Sequence, residues 1–459
     1  MSSELPWSDC ANRTWASALC DANINNSAGH YNGNISGGLA PALRSPAQDY
    51  FDNYVLGLEE TSGFDSLGWP RWQLVLCLAL AYLILFLALF KGVKSSGKVV
   101  WVTAIAPYII LLILLIRGVF LPGATDGLKF YLNLDLRRLG DTQVWIDAAV
   151  QVFYSIGAGF GVHLALSSYN SFHHPTTRDC LITVGANAAA NLLSGFVVFA
   201  YLGYMSAKQN VGIEQVAKNG PGLVFQVYPE AIGTLPAAPV WSLLFFLMLL
   251  TLGMDSSMGG MEAIITGICD YFHDFFRSVP HSRPLFTAAL CVVSFLFGII
   301  NCTPAGIYTF QWFDTFSAGV SLLFVAFFEA IAVGWFYGID QFSQDIEDML
   351  GSPPGFFWRI CWKVLSPLFL IAAIIAAAVT FPVLKYDHYT YPVWASAVGW
   401  AFSLSTTILI PIVAISKLVT TKGSFRQKVA LSISPMRDYD DITREGYVKR
   451  FHRKHWLQI

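Results

Sequence analysis

Apolar residues recur along the chain in runs of about 20, the length that carries a helix across a bilayer. They lie at Trp72 to Phe90, Val99 to Phe120, Val144 to Leu166, Leu181 to Met205, Val240 to Cys269, Leu285 to Ile300, Tyr308 to Tyr337, Val364 to Pro382 and Val393 to Ile415. The pattern predicts an all-α polytopic membrane protein with about nine spans. The third run differs from the rest. Its interior reads Tyr154-Ser-Ile-Gly-Ala-Gly-Phe-Gly161, with three glycines in five positions. Glycine is a poor builder of an uninterrupted helix. In hydrocarbon, unwound backbone survives only where protein covers it or where it lines a wet cavity. A break there is therefore a candidate binding site.

The polar segments give orientation and boundaries. The connector Lys91 to Lys98 and the region from Lys417 to Lys454 are basic, and short basic segments stay in the cytoplasm. An N-terminus outside, nine crossings and a C-terminus inside satisfy both. The domain reading is an extracellular tail over 1–70, a transmembrane domain over 71–417 and a cytoplasmic tail over 418–459. The fifth run is longer than a bilayer needs and is expected to project toward Asp270. Pro221-Gly222 and Pro229-Glu230 predict a structured loop between the fourth and fifth spans, and Pro353-Pro354 separates the polar stretch Asp340 to Leu350 from the eighth span.

Composition narrows the class. Of 459 residues, 55% are hydrophobic and 13% charged, far below the roughly 25% charge of soluble domains. The net charge of -2 and the dispersed basic residues exclude a nucleic-acid partner. Cys10 and Cys20 share the polar tail with three glycosylation acceptors at Asn12, Asn25 and Asn34. A disulfide in an oxidising compartment fits all five. The other six cysteines lie in or beside apolar runs and read as small hydrophobes. The start, Met1 to Trp7, has neither a basic segment nor an apolar core, so the expectation is a chain preceded by further helices.

Ionisable groups inside spans are costly and mark function by default. Asp255 lies in Leu252-Gly-Met-Asp-Ser-Ser-Met-Gly-Gly260 with two hydroxyls beside it. Two readings fit: oxygen ligands for a small cation, or a packing face of small residues around a neutral Asp. Asn187 offers an amide oxygen or interhelical glue. Gln151 and Ser155 are four apart on one helix face just ahead of the break, where their donors suit an anion. Asp314 is either a gate acid or a solvated helix end, and the sequence does not choose a role for Glu262 or Glu329.

The segments Trp145 to Gly161 and Leu252 to Glu262 resemble the sodium- and chloride-dependent neurotransmitter symporters, in the monoamine branch. Further matches are Pro70-Arg-Trp-Gln-Leu74, Ser96-Gly-Lys-Val-Val-Trp101, Gly220-Pro-Gly-Leu223, Tyr228-Pro-Glu-Ala231, Trp335-Phe-Tyr-Gly338 and the ending His455-Trp-Leu. The resemblance covers nearly the whole chain. It implies a partial inverted-repeat sodium symporter fold whose nine spans correspond to family helices four to twelve, helices one to three being absent.

By the same resemblance Leu252, Asp255 and Ser256 serve one sodium site, and Ser155 and Asn187 the other. Chloride would meet Gln151, Ser155 and Asn191, the last replacing the family's usual Ser. Tyr154, Phe160, Val162, Ser256, Ser257 and Gly260 would surround the amine's ring, with Asp314 and Asp270 as outer and inner gate acids. The implied function is Na+- and Cl−-coupled uptake of a dopamine- or noradrenaline-like monoamine at the plasma membrane, not enzymatic catalysis. The missing helices imply that the parent transports and this chain alone does not. The alternative is a non-transporting isoform that associates with the full-length protein. Membrane lipid, a homo-oligomer and a scaffold domain binding the carboxylate after Leu457-Gln-Ile459 complete the expected partners.

Overall fold

Leu, Ile, Val and Phe fill the predicted spans, and nearly all of them are helical in the computed structural model. It describes residues 5–11, 13–17, 20, 44–216, 220–317, 319–379, 384–386, 389–434 and 436–444. In chain order the main helices are α1 (Trp72–Leu89), α2 (Val93–Val119), α3 (Ala124–Leu132), α4 (Thr142–Ile156), α5 (Val162–Ser167), α6 (Thr176–Gln209) and α7 (Tyr228–Gly233). There follow α8 (Ala238–Tyr271), α9 (Ser282–Gly298), α10 (Gly306–Ser317), α11 (Val320–Ile331), α12 (Ile339–Leu350), α13 (Ser366–Val379) and α14 (Val393–Thr420). Among the described residues, 8 helices are long and apolar enough to cross a membrane. The third run is not among them because the glycines split it into α4 and α5. At 34 residues α8 is about 51 Å long, well beyond the roughly 30 Å hydrocarbon core, as its run predicted. The double proline acts as expected too: α12 ends at Leu350, Gly351 takes φ +75°, and helix resumes at Phe356.

The chain divides into two compact units, Met1–Asp135 with Gly185–Thr309, and Leu136–Val184 with Phe310–Ile459. In the first, α8 packs against α2 and α1. One apolar cluster centres on Leu114, Tyr201, Met205, Ile232 and Phe245, and a second on Leu89, Met258, Ile265 and Cys291. α3 meets α6 where side chains are missing. Gly123 and Gly127 are four apart, and a Cβ on Gly203 would lie 2.6 Å from the Gly123 carbonyl and from the Gly127 nitrogen. Small residues at this spacing let helix backbones touch.

The described residues of the N-terminal segment, read from sequence as a loop or tail, form a cap in this unit. Cys10 and Cys20 are disulfide-bonded, with their Cα atoms 6.1 Å apart. Trp7 donates its indole Nε1–H to the Pro229 carbonyl at 3.0 Å. Asp49, fully buried, accepts from the amide (2.8 Å) and hydroxyl (2.6 Å) of Ser17 and lies 3.8 Å from Arg44. Gln226 donates to Asp52 at 3.0 Å, and Phe51 stacks on Phe225 at 5.2 Å. Burial pushes the Tyr228 phenol far above its usual range, so it stays neutral. Asn12, Asn25 and Asn34 lie outside the described residues, as does Leu457 to Ile459. Of the six free cysteines, Cys291 and Cys302 are buried, Cys269 and Cys361 half-buried, and Cys77 and Cys180 exposed. The small-hydrophobe reading thus suits the first pair best.

In the second unit α11 and α13 pack through Leu323, Ala326, Leu370 and Ala373, with Phe153 of α4 against them. Two π-helical turns face each other, Ala332–Gly338 and Cys361–Leu365. Gly334 permits the approach, since a Cβ there would meet the Trp362 carbonyl at 2.7 Å. The Trp335 indole donates to the Lys363 carbonyl at 2.9 Å. At the start of α12, Asp340 pairs with Arg359 at 2.7 Å.

A Cβ on Gly127 would sit 1.9 Å from the Phe199 carbonyl, and overpacking of this kind costs about 1–3 kcal/mol. Gly127→Val is expected to lower the melting temperature of the detergent-purified protein, while Gly97→Ala, where a Cβ meets nothing within 4 Å, leaves it unchanged. Fluorescence-detected melting checks both.

Candidate functional site

The helix break is where the glycines placed it, and its geometry explains why three are needed. Gly157, Gly159 and Gly161 take φ of +74°, +80° and +74°, a left-handed region that costs a side-chain-bearing residue about 1–2 kcal/mol each. α4 starts from Asp141, whose carboxylate accepts the Gln143 amide at 3.0 Å. It ends in paired bonds: the Gly157 amide to the Tyr154 carbonyl (3.1 Å) and the Ala158 amide to the Phe153 carbonyl (3.3 Å). That pattern closes a helix on a left-handed glycine and satisfies two of its final carbonyls. The Phe160 amide then bonds the Gly157 carbonyl at 3.3 Å, and α5 begins at Val162. Gly159 passes close to α11, where a Cβ would meet Leu322 at 3.1 Å.

This turn assembles part of the expected constellation within the second unit. Tyr154 and Phe160 meet edge to face, with centroids 5.9 Å apart at 79°, and form an aromatic wall; Val162 opens α5 two residues after Phe160. Both rings are partly open, at 48% and 43% exposure. Gln151 and Ser155 lie on the last turns of α4, Gln151 exposed and Ser155 half-buried. Asp314 is exposed near the end of α10.

The other expected residues belong to the first unit. On α8, Leu252, Asp255 and Ser256 are spaced three and four apart, so they share one face. Thr103 of α2 donates its hydroxyl to Asp255 Oδ1 at 3.1 Å, shared with the Val99 carbonyl one turn back at 3.3 Å. Ser257 donates to the Gly253 carbonyl at 2.7 Å, so its proton is committed within its own helix, whereas Ser256 and Gly260 lie open or half-open. Asn187 is half-buried and Asn191 exposed on α6. Asp270 is exposed on the last turn of α8.

Three partners escaped the sequence reading. Thr103 is a lone hydroxyl in an apolar run, and its relation to Asp255 depends on how α2 crosses α8. His163 reaches back over the break, with Nε2 2.7 Å from the Ile156 carbonyl. Arg283 settles the role of Glu262: its guanidinium donates to Glu262 Oε1 at 2.6 Å. Glu262 is 3% exposed at its side chain and Arg283 34%. The left-handed Gly92 (φ +68°) lies beside this pair, where a Cβ would sit 3.2 Å from Arg283 Cζ. Glu329 is exposed on α11. Among the described residues, no three His, Cys, Asp or Glu side chains converge on a metal-binding geometry.

Residues 1–421 match the family described as Sodium:neurotransmitter symporter family. The sodium-dependent dopamine transporter of Bos taurus is 46% identical over 444 residues, covering 96% of this chain and 62% of that protein. The sodium-dependent serotonin transporter of Drosophila melanogaster is 43% identical over 434 residues, covering 94% of this chain and 67% of that protein. The chain thus spans about two thirds of the length of either relative.

Removing one member of a buried ion pair strands the other and costs about 3–5 kcal/mol. Because Arg283 is a third open to its surroundings, Arg283→Met is expected near the lower end of that range. The double variant Arg283→Met with Glu262→Gln should recover most of it. Melting of both in detergent measures the difference.

Proposed function

Since the chain belongs to the sodium:neurotransmitter symporter family, a family of transporters and not enzymes, we propose that its protein takes up a monoamine of the catecholamine type, coupled to sodium and chloride. The observation that carries this reading is the break between α4 and α5 inside an apolar run, with the Tyr154–Phe160 wall on it. Flat aromatic faces and an exposed turn of backbone suit a small aromatic amine.

In the proposed assignment one sodium site takes its oxygens from the Leu252 carbonyl, the Asp255 carboxylate and the Ser256 hydroxyl, and the other from Ser155 and Asn187. These are hard oxygen donors, which suit a small cation. Chloride is assigned to donors on Gln151, Ser155 and Asn191, the Asn amide donating where the family usually has a hydroxyl. Asp314 and Asp270 are assigned as gate acids, and Val162, Ser256, Ser257 and Gly260 as further substrate contacts. Sodium favours the occluded state by binding it more tightly, and rocking of one helix group against another alternates access. The protein is placed in the plasma membrane with residues 1–70 outside, where Asn12, Asn25 and Asn34 carry sugar, and residues 418–459 inside. A homo-oligomer and a scaffold domain at Leu457 to Ile459 are the proposed protein partners.

The test is uptake of labelled dopamine and serotonin by cells expressing the complete reading frame. Saturable dopamine uptake that collapses when choline replaces sodium, and falls when gluconate replaces chloride, is the expected result. Uptake indifferent to sodium would overturn the reading. Asp255→Ala is expected to abolish uptake at unchanged surface expression. Thr103→Val removes one hydrogen bond from that carboxylate, worth about 1 kcal/mol, so half-saturating sodium should rise about fivefold, read from a sodium titration of uptake.

A further inference from the structure

Within the break, His163 does something that no glycine or family motif requires. When a helix ends, its last carbonyls lose their partners, and inside an apolar span water does not readily replace them. The Gly157 and Ala158 amides take the Tyr154 and Phe153 carbonyls. The Ile156 carbonyl, the last of α4, faces the imidazole of a residue seven positions on, at 2.7 Å. A carbonyl only accepts, so Nε2 carries the proton. The bond spans the whole interruption, from the final residue of α4 to the second residue of α5. α5 itself is only 6 residues long and starts at Gly161 with no side-chain cap, so little else along this stretch of chain fixes its start to the end of α4.

The geometry points to His163 as a positioning residue: its Nε2–H on the Ile156 carbonyl closes the unwound segment into a fixed loop and thereby sets the Tyr154–Phe160 wall. Both rings lie inside or at the edge of that loop, Tyr154 two residues before Ile156 and Phe160 three before His163. The bond also occupies a carbonyl at the negative end of the α4 dipole, where a cation would otherwise be drawn. His163 thus fixes which carbonyls of the break remain open to ligands. Its effect on transport rests on the proposed uptake function; its effect on the loop does not.

Two variants separate the donor from the bulk of the ring. His163→Leu keeps an apolar body and removes the donor, while His163→Gln keeps an N–H at similar reach. Hydrogen exchange read by mass spectrometry over residues 154–166 of the purified full-length protein is expected to be several-fold faster in H163L and near parental in H163Q. In uptake assays normalised to surface protein, H163L should raise KM for the amine about fivefold, as the loss of one hydrogen bond implies, with Vmax within about twofold. H163Q should restore KM. Unchanged exchange in H163L, or H163Q as impaired as H163L in both assays, would overturn the inference. Altered exchange in H163L in a protein with no sodium-dependent uptake would leave the tie standing and remove the transport reading instead.

Discussion

In hydrocarbon a backbone must answer its own amides and carbonyls, and the irregular stretches within the described spans are built around that demand. Helices meet it by default, which is why the apolar runs are helical almost throughout. Where α4 gives way to α5, three left-handed glycines turn the chain, two amides fold back on two carbonyls, and an imidazole takes a third. The same demand is met differently between Ala332–Gly338 and Cys361–Leu365. There the helix widens into π turns, and the Trp335 indole supplies the donor for the Lys363 carbonyl. Irregular backbone is costly here, and the chain spends polar side chains on it.

Charge follows a parallel rule within each unit. Asp255 meets the Thr103 hydroxyl, Glu262 the Arg283 guanidinium, and Asp340 the guanidinium of Arg359. In each case the partner comes from a different helix, so the acid also fixes how two helices cross. The three contacts differ in strength. Asp255 meets a neutral hydroxyl, whereas Glu262 meets a guanidinium, the stronger partner.

The elements were legible because their causes are local. Run length gave the spans, Gly157 to Gly161 gave the break, Pro353-Pro354 gave the end of α12, and the excess length of the fifth run gave α8 its 34 residues. Spacing put Gln151 and Ser155 on one face of α4. What remained hidden depends on how helices cross. Thr103 lies 152 positions from Asp255, and Arg283 lies 21 from Glu262 across the turn between α8 and α9. No local pattern joins either pair. The contacts of the cap were hidden for the same reason: Trp7, Trp15 and Ser17 find partners far downstream. His163 was overlooked because a single His next to a glycine turn has no periodicity to mark it.

The cap contact has a consequence in time. Trp7 and Pro229 are 222 positions apart. At about 5–20 residues per second of synthesis, roughly 10–45 s pass between the appearance of the indole and that of its acceptor. Throughout that interval the N-terminal segment, with Cys10 and Cys20 in it, has no loop to dock on. Disulfide formation takes seconds or longer, so the pair has time to close first. The cap would then arrive at its docking surface already stapled.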